Sequence, residues 1–560
     1  MLFNSYEFIL AFLPVTVVGF LLLGLFSRAW ALGWLMLASI FFYAWWRPFN
    51  LLILGPSVAV NYIFASWLAD LAGNPAKASK RALLLTLGIL FNVALLGYFK
   101  YANFIVSVAD DVTGKDFVLQ QVILPLGISF ITFQKIAFLI DVAGGRIKSF
   151  TLRDFLLFVL FFPQLIAGPI VHWSESVPQF QKATAKFDRN AYAAGLTLFV
   201  FGLFKKVVLA DGIAQYVSPV FAFAGAGQHA TLLQSWLAAV GYTFQIYFDF
   251  AGYSDMACGA ALFFGIRLPM NFDSPLRATN IIDFWLRWHI TLTRFLTAYI
   301  YTPLTMSLMR ARAAKKKLPL RSRSSGLMAF VQVLAYPTLA TMFVSGVWHG
   351  AGYTFIIWGL LHGTYLIITH AWRQYGPKQP AANAAAPAVA AGPAPVRMGL
   401  PTLSASRVAP LLGWALTFVA VAVSMVFFRA PNIDTAVNIL KGMVGLNGVG
   451  LPKFVVDIVH MPALGSMTLL DGEVQLKEFA LALAYLLGVG FVALAMPNSL
   501  QIMSKAAPTL QTPPRPPRAL GVGPRIDWSP SLPWMIFIAG LAAASMWMLT
   551  GQSEFLYWQF

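Results

Sequence analysis

A series of long apolar stretches limits how this chain can fold more than any other feature. The stretches at 8–26, 29–46, 51–70, 81–99 and 121–141 are each close to the ~20 residues that a helix needs to cross a ~30 Å hydrocarbon core. Charged residues make up only 11% of the chain, whereas soluble domains contain about 25%. This pattern excludes a soluble enzyme and predicts an all-α polytopic membrane protein.

The charged residues indicate which side of the membrane each loop faces. Basic residues cluster at 77–81, 146–153 and 310–323, as they do in cytoplasmic loops, whereas 103–117 and 433–478 are rich in acids. An alternating path that respects these charges has about twelve crossings and both termini outside. Its remaining spans are 191–215, 232–264, 328–348, 352–372, 408–428, 479–496 and 532–549. Topology and contact with membrane lipids thus account for the net charge of +18, and no nucleic-acid partner is predicted.

Two further segments fit poorly as crossings. Residues 154–171 contain Pro163, Gly168 and Pro169, and backbone broken at membrane depth persists only where it is buried in protein or lines a cavity. We interpret this segment as re-entrant. Residues 281–304 are amphipathic at helical spacing, so we expect one helix that lies in the interface or is wedged between spans. Its apolar face carries Trp285, Trp288, Leu292, Phe295, Leu296 and Tyr299, and its polar face carries Asp283, Arg287 and Arg294.

Composition divides the chain into two blocks. Residues 377–396 are mostly Ala and Pro, a composition that buries too little surface to fold, so we predict a disordered cytoplasmic linker. Residues 508–525 form a stiff, proline-rich connector. We therefore expect a core at 1–375, a linker at 376–407 and a C-terminal transmembrane block at 408–560. The single cysteine, Cys258, excludes an internal disulfide, and the histidine spacing predicts no metal site.

Ionisable residues within membrane segments are candidates for function because they are costly to bury. Among the histidines, His349 is distinctive, because Gly346, Gly350 and Gly352 flank it between two spans. Glycine permits close backbone approach, so a long, thin ligand reaching this imidazole is one interpretation. The alternative is a helix-breaking turn whose histidine faces water. His362, one span further on, is expected to pack or hydrogen-bond within the bundle.

Several motifs, in a fixed order, resemble those of the membrane-bound O-acyltransferases, in particular the bacterial branch with the alginate O-acetyltransferase membrane subunit and the D-alanyl transferase of teichoic acid synthesis. They extend from the start to about residue 375. The motifs are Phe42-Tyr43-Ala44-Trp45-Trp46, Pro125-Leu126-Gly127-Ile128-Ser129-Phe130, Phe162-Pro163-Gln164-Leu165-Ile166-Ala167-Gly168-Pro169-Ile170, Tyr247 to Ala257, Asn271-Phe272-Asp273-Ser274-Pro275, Asp283 to Leu292 and Trp348-His349-Gly350.

The resemblance implies a helical ring around a thinned catalytic centre, with a channel through which acyl donor and acceptor approach from opposite sides. It also implies that His349 matches the essential histidine of the family, and His289 the second histidine of the bacterial Trp-His motif. The additional 408–560 block resembles the alginate acetylation group. The Ala/Pro insertion departs from the family pattern, as does Leu286, which stands where arginine is common.

Acyl transfer requires a base that takes the proton of the attacking hydroxyl, and neutral imidazole is suited to this step. We expect His349 to be that base, while His289 orients it, holds the acceptor or helps bind the donor. Candidate oxyanion donors are Trp348, Trp288, Asn271 or backbone amides beside Gly350. Asp255, Gly168 and Pro169 are candidates for the donor path, so Gly168→Leu is expected to reduce transfer and leave stability nearly unchanged.

The functional hypothesis is an O-acetyltransferase of the bacterial inner membrane that acts on an extracytoplasmic polysaccharide, most simply an alginate-like exopolysaccharide. The donor would be acetyl-CoA or an acyl carrier thioester, with no permanently bound cofactor. The expected partners are a periplasmic acetyltransferase and a polysaccharide secretion complex. The alternatives are acetylation of cellulose or peptidoglycan, D-alanyl transfer to teichoic acid, a non-catalytic transporter of polymer or lipid, and a scaffold for a secretion complex.

Overall fold

The structure is a computed structural model. It describes residues 1–115, 117, 122–183, 185–315, 326–376, 408–459, 468–469, 472–473, 476–511, 526–549 and 555–556. The predicted linker at 376–407 lies outside these residues except for Gly376. Most of the proline-rich connector at 508–525 and of the basic cluster at 310–323 also lies outside them.

In the described part of the first half of the chain, all regular secondary structure is helical. Its α-helices are α1 (Leu13–Gly24), α2 (Arg28–Ala44), α3 (Asn50–Leu71), α4 (Ala78–Leu96), α5 (Ala102–Thr113), α6 (Ile128–Ala143), α7 (Leu152–Leu160), α8 (Phe162–Leu165), α9 (Trp173–Lys182), α10 (Arg189–Phe204), α11 (Asp211–Gly225) and α12 (Leu232–Leu262).

The second half continues with α13 (Ile281–Arg287), α14 (Ile290–Leu296), α15 (Thr302–Ala314), α16 (Leu327–Phe330), α17 (Tyr336–His349), α18 (Tyr353–Tyr375), α19 (Val408–Arg429), α20 (Ile433–Met443), α21 (Lys453–Val459), α22 (Leu476–Ala495), α23 (Ser499–Ile502) and α24 (Leu532–Trp547). Two strands of two residues each, β1 (Thr468–Leu469) and β2 (Gly472–Glu473), pair in antiparallel orientation.

Short non-α turns join several helices into longer ones. The π-helical turns are Glu7–Phe12, Gly97–Tyr101, Lys205–Ala210, Thr297–Tyr301 and Val331–Ala335, and the 3₁₀ turns are Pro75–Lys77, Pro275–Arg277 and Ser504–Ala506. A π turn inserts an additional residue and redirects the side chains that follow it, and such turns are frequent at functional sites.

Among the described residues, eight helical stretches are long and apolar enough to cross a membrane. They are Glu7–Gly24, Asn50–Leu71, Pro75–Thr113, Arg189–Gly225, Leu327–His349, Tyr353–Tyr375, Ala409–Arg429 and Leu476–Ala495, and Arg28–Ala44 and Leu532–Trp547 are shorter apolar helices. The all-α multi-pass class is thus confirmed, whereas the count of twelve stays a prediction.

The two remaining predicted spans differ from expectation. The span placed at 121–141 is helical only from Ile128, because the preceding Gly127 has a φ of 68° and α6 begins after it with 16 residues. The span placed at 232–264 is α12, a helix of 31 residues that is buried over almost its whole length. A helix enclosed by protein does not need a lipid-facing apolar surface.

Glycine pairs bring α10 and α12 into close contact at the centre of the fold. A Cβ atom on Gly202 would lie 2.5 Å from the Gly252 carbonyl oxygen, and one on Gly259 would lie 2.6 Å from that of Gly195. Small residues at helix crossings allow this approach in membrane proteins. The chain end also reaches this helix, since the Leu556 amide donates to Asp249 Oδ2 at 3.1 Å. The C-terminal block therefore packs directly on the core.

The amphipathic segment 281–304 is not one helix, so that prediction is wrong. α13 ends at Arg287, and His289 adopts a left-handed backbone with φ 42° and ψ 53° before α14 begins. The loop that contains Asn271 supplies the missing hydrogen bonds, because the Ile290 amide donates to the Asn271 carbonyl and the Asp273 amide to the Arg287 carbonyl. The expected Asp283–Arg287 pair does form, with Nε 2.8 Å from Oδ1.

Candidate active site

His349 lies at the C-terminal end of α17 and is 3% exposed. Its imidazole is enclosed by aromatic rings, with centroid distances of 4.9 Å to Trp348, 4.8 Å to Trp358 and 5.3 Å to Phe428. Phe428 belongs to α19, so the C-terminal block supplies part of the wall around this histidine.

Two residues from a distant π turn hold the end of α17. The Tyr101 hydroxyl donates to the Val347 carbonyl at 2.6 Å. The Lys100 ammonium donates to the carbonyls of Trp348 and His349, the latter at 3.1 Å. The last carbonyls of a helix have no partners within the helix, so these donors satisfy groups that would otherwise be left over beside His349.

The glycines around His349 serve a different purpose from the one proposed on sequence grounds. A Cβ atom on Gly346 would lie 2.4 Å from the Phe355 carbonyl oxygen, and one on Gly350 would lie 2.2 Å from the Phe355 ring. Gly359 faces Gly346 in the same tight crossing of α17 and α18. These glycines therefore permit helix packing and do not open a space around the imidazole.

His289 is fully buried in the break between α13 and α14. Its Nδ1 lies 3.0 Å from Asn271 Oδ1, which also accepts hydrogen bonds from the Thr291 amide at 3.3 Å and the Thr291 hydroxyl at 2.9 Å. Because a backbone N–H only donates, this atom of Asn271 is the carbonyl oxygen. His289 therefore donates from Nδ1, and in the neutral ring Nε2 carries the lone pair.

The structure brings the two histidines together. Their ring centroids are 6.4 Å apart, and Trp348 lies beside both rings, at 4.9 Å from His349 and 6.2 Å from His289. They are 60 positions apart in the sequence. Two imidazoles and an indole therefore line one buried centre.

A cleft leads to His349. We call it the His349 cleft, and it is lined by Lys100, residues 124–130, Ile166, Ala167, Trp348 and His349. Gly127 allows the wall to form, because a Cβ atom there would lie 3.0 Å from the Leu165 carbonyl oxygen. The motif at 125–130 and the segment at 162–170 therefore meet at this cleft.

A second, smaller cavity lies on the His289 side. We call it the Asp255 cavity, and it is lined by Lys205, Tyr247, Ala251, Ser254, Asp255, Cys258, Met270, Asn271, Phe272, Asn498, Ser499 and Leu500. Asn271 donates to Ser254 at 3.2 Å, and Asp255 pairs with Lys205 at 2.6 Å. The two cavities have no lining residue in common. His349 lines the first, and Asn271, which bonds to His289, lines the second.

Three of the other predicted site residues, Trp288, Gly168 and Pro169, line neither cavity. Trp288 is buried against Phe272 and Phe284, with ring distances of 5.2 Å and 5.5 Å, and it lines neither cavity. Gly168 and Pro169 are buried and do not line the cleft, whereas the preceding Ile166 and Ala167 do. The broken segment is buried in protein from Leu157 to Val171, as expected for backbone interrupted at depth.

The geometry at Gly168 changes the expected result of a substitution. A Cβ atom there would lie 2.5 Å from the Gln164 Cα and 2.7 Å from the Pro163 carbonyl oxygen. We now expect Gly168→Leu to lower the amount of folded protein, because overpacking typically costs about 1–3 kcal/mol and the clash is with backbone. Gly488→Leu is the matched control, since nothing lies within 4 Å of a Cβ atom at Gly488.

The measurement for this pair is the yield of monodisperse protein and its thermal stability in detergent. If Gly168→Leu and Gly488→Leu give the same yield and the same thermal stability, the clash at Gly168 does not destabilise the fold. The expectation from the sequence, loss of transfer at unchanged stability, would then apply.

Sequence reasoning missed several charged residues. Lys206 bridges Asp249 at 2.7 Å and Asp211 at 2.8 Å inside the fold, and Lys100 and Lys205 line the two cavities. All three lysines lie in π turns. The sequence did contain a signal for these lysines, because a charged residue within an apolar stretch is a candidate for function.

His172 follows the broken segment 154–171 in the sequence, and it lines neither cavity. Its Nδ1 lies 3.2 Å from the Tyr299 hydroxyl, which donates to Asp141 at 2.9 Å. Burial is the largest effect on His172 and lowers its pKa. Within the described residues, no group of three His, Cys, Asp or Glu side chains is arranged to hold a metal ion.

Comparison with known proteins gives a consistent set of relatives. The sequence model described as MBOAT, membrane-bound O-acyltransferase family, matches residues 82–318. A peptidoglycan O-acetyltransferase of Helicobacter pylori is 39% identical over 80% of this chain and 81% of its own length. A probable alginate O-acetylase, AlgI, of Pseudomonas aeruginosa is 34% identical over 100% of both chains. A teichoic acid D-alanyltransferase of Bacillus subtilis is 28% identical over 45% of this chain and 60% of its own length.

Proposed function

The chain belongs to the membrane-bound O-acyltransferase family, and from this membership we propose that it moves acetyl groups from a cytoplasmic thioester across the bacterial inner membrane for O-acetylation of an extracytoplasmic polysaccharide. It is a multi-pass membrane enzyme that transfers acyl groups to hydroxyl oxygens. The proposal adds four points to this: the identity of the donor, the direction of transfer, the location in the inner membrane and the polymer that is acetylated.

The observation that carries the proposal is that the two histidines are linked to two separate cavities. His349 and Trp348 line one of them, and Asn271, which bonds to His289, lines the other. Acyl transfer between two compartments requires a donor and an acceptor that meet at one base without sharing an entrance. The arrangement supports such a reaction better than simple transport, which has no need of a buried imidazole pair.

The distribution of charged loops supports an assignment of each cavity to one side of the membrane. The His349 cleft is lined by residues 124–130, shortly after the acidic 103–117 segment expected outside. The Asp255 cavity is lined by Asn271, whose loop is expected on the cytoplasmic side, and by residues 498–500, which follow a span predicted to end inside. The acceptor would therefore enter by the His349 cleft and the donor by the Asp255 cavity.

In the proposed mechanism, His349 takes the proton of the acceptor hydroxyl, because it is the histidine that lines the acceptor side. The hydroxyl oxygen then forms a bond to the thioester carbonyl carbon. When the tetrahedral intermediate collapses, the carbon–sulfur bond breaks, and the leaving thiolate takes the proton from the imidazolium. The products are an ester and a thiol, and no proton is gained or lost overall.

Trp348 is the best-placed donor for the oxyanion among the candidates. Its indole N–H is buried and has no hydrogen-bond partner among the described residues, and its ring lies beside both histidines. Asn271 Nδ2 already donates to Ser254, and the Gly350 amide donates to the Gly346 carbonyl. An N–H that is fixed in a dry site stabilises developing negative charge at little cost in reorganisation.

The donor would be acetyl-CoA or an acyl carrier thioester that arrives from the cytoplasm, with no permanently bound cofactor. Basic cytoplasmic loops would attract such an anionic donor. On the other side, a periplasmic acetyltransferase and a polysaccharide secretion complex would receive the acetyl group.

Two polymers are candidates for the acceptor. An alginate-like exopolysaccharide is favoured by similarity to the alginate O-acetylase over the full length of both chains. Peptidoglycan is favoured by the higher identity to the Helicobacter pylori protein, although over a shorter part of the chain.

Complementation distinguishes these polymers. The chain would be expressed in an alginate-producing strain that lacks its own membrane O-acetylase, and in a strain that lacks its peptidoglycan O-acetyltransferase. Acetate released from each purified polymer by mild base is the measurement, and His349→Gln is the control in both strains. We expect restored alginate acetylation. Restoration of peptidoglycan alone would select the second polymer, and acetate at the level of His349→Gln in both strains would contradict acetyl transfer.

A further inference from the structure

The structure contains a connection to His349 that the mechanism above does not use. Lys100 and Tyr101 lie in the π turn Gly97–Tyr101, between α4 and α5, almost 250 positions before the histidine in the sequence. Their side chains reach the last three carbonyls of α17, those of Val347, Trp348 and His349. A long-range contact of this kind links the cleft wall to the backbone of the catalytic turn.

We propose that Lys100 and Tyr101 are positioning residues that fix the last turn of α17, and so the direction of the His349 imidazole. The inference rests on the proposed function, in which His349 is the base. Lys100 and Tyr101 act through His349 and its backbone and take no part in the proton transfer.

The choice of a lysine for this position has an electrostatic reason. The carbonyl end of a helix carries a partial negative charge, and a cation there stabilises the helix. A partly buried ammonium loses hydration, which is costly unless hydrogen bonds compensate it, and two carbonyl oxygens of α17 do so here. The carbonyl oxygens therefore stabilise the ammonium, and the ammonium stabilises the C-terminal end of α17.

The helix end needs such a cap because of what surrounds it. After His349 the chain becomes extended at Gly350, with φ −158°, so α17 cannot continue and its final carbonyls stay without helical partners. Lys100, Trp348 and His349 all line the same cleft. Without the cap, water or the substrate would compete for these carbonyls, and the last turn would have more than one arrangement.

The π turn accounts for how both side chains reach α17. Consecutive residues of an α-helix point about 100° apart, which separates the directions of Lys100 and Tyr101. The wider turn at Gly97–Tyr101 redirects the side chains so that both reach the same helix end.

The test compares kcat and the KM for acetyl-CoA, used as the thioester donor, in Lys100→Met, Lys100→Arg and Tyr101→Phe. We expect Lys100→Met to lower kcat about 30- to 100-fold with KM within about threefold, since a displacement near 1 Å costs on the order of 10²-fold. Tyr101→Phe, which removes one hydrogen bond, should lower kcat about fivefold. Lys100→Arg retains the charge and the donors, and we expect it to keep about a third of the wild-type kcat.

Lys135→Met is the matched control. Lys135 is 1% exposed and donates to Ser57, and it lines neither cavity. If its kcat falls as far as that of Lys100→Met, the effect belongs to any buried lysine and the proposal is overturned. The proposal is also overturned if Lys100→Met raises KM and leaves kcat unchanged. It is overturned as well if the kcat of Lys100→Arg is no higher than that of Lys100→Met.

The remaining outcomes are also decisive. If Lys100→Met fails to fold, Tyr101→Phe carries the test, and a wild-type kcat in that variant overturns the proposal. His349→Gln is measured in parallel. If His349→Gln is active, the proposed function fails. If His349→Gln is inactive while Lys100→Met and Tyr101→Phe have the wild-type kcat, only the positioning inference fails.

Discussion

His349→Gln is expected to lower acetyl transfer to polymer by a factor of about 10²–10⁴, the usual contribution of a general base. Glutamine keeps much of the size and hydrogen bonding of histidine, but its amide cannot take a proton at neutral pH. The imidazole is 3% exposed and enclosed by Trp348, Trp358 and Phe428. The substitution therefore removes the proton acceptor and changes the packing little.

The measurement is transfer of labelled acetyl from the cytoplasmic thioester pool to polymer, per amount of folded protein, in a strain that lacks the native gene. His362→Gln is the matched control, because His362 is also buried and bonds to Ser424 at 2.9 Å, but lines neither cavity. We expect His362→Gln to stay within about threefold of wild type. Retention of about a third of the activity by His349→Gln would exclude general-base catalysis at this residue.

Much of the architecture could be predicted from local sequence, because a helix in lipid must satisfy its own backbone hydrogen bonds and must therefore be long and apolar. The motifs also predicted the family, which the relatives confirm. The hydrogen bond of His362 within the bundle was expected and is present.

The break at His289 could not be predicted in the same way. Neither Gly nor Pro occurs between Ile281 and Leu296, so the segment contains no local reason for a helix to end. The left-handed backbone of His289 costs free energy, and the loop at Asn271 compensates it with hydrogen bonds to Ile290, Thr291 and the imidazole. The periodicity of one segment contains no information about a partner 18 positions away.

The packing role of the glycines near His349 could not be predicted from the sequence either. Their clustering was visible in the sequence, but clustering alone does not distinguish space for a ligand from space for a neighbouring helix. The structure assigns Gly346 to the crossing with α18, where the Phe355 carbonyl occupies the position of a Cβ atom. Only the path of α18 in three dimensions makes that distinction.

Lys206→Met is expected to be the most destabilising substitution among those considered. Lys206 is 2% exposed and Asp249 is 1% exposed, and their ammonium and carboxylate lie 2.7 Å apart. Removing one partner of a buried ion pair leaves an uncompensated charge, which typically costs about 3–5 kcal/mol. We expect a large loss of folded yield and of thermal stability in detergent.

Lys505→Met is the control for loss of a lysine from an ion pair. Lys505 and Asp527 lie 2.8 Å apart, but their side chains are 64% and 36% exposed. Water replaces the lost interaction at such a site, and exposed pairs contribute about 0–1 kcal/mol. If the two lysine variants are equally stable, Asp249 is not held in a dry, charged state by Lys206, and the argument from burial is wrong.

The double variant Lys206→Met/Asp249→Leu separates the cost of an unpaired charge from the value of the pair. An apolar replacement of both partners removes the buried carboxylate, and such replacements are often neutral or stabilising. Recovery should be partial here, because Asp249 also accepts the hydrogen bond of the Leu556 amide, and Asp211 loses Lys206 as a partner. A double variant less stable than Lys206→Met would mean that the carboxylate stabilises the fold mainly through the chain end at Leu556, and not through the lysine.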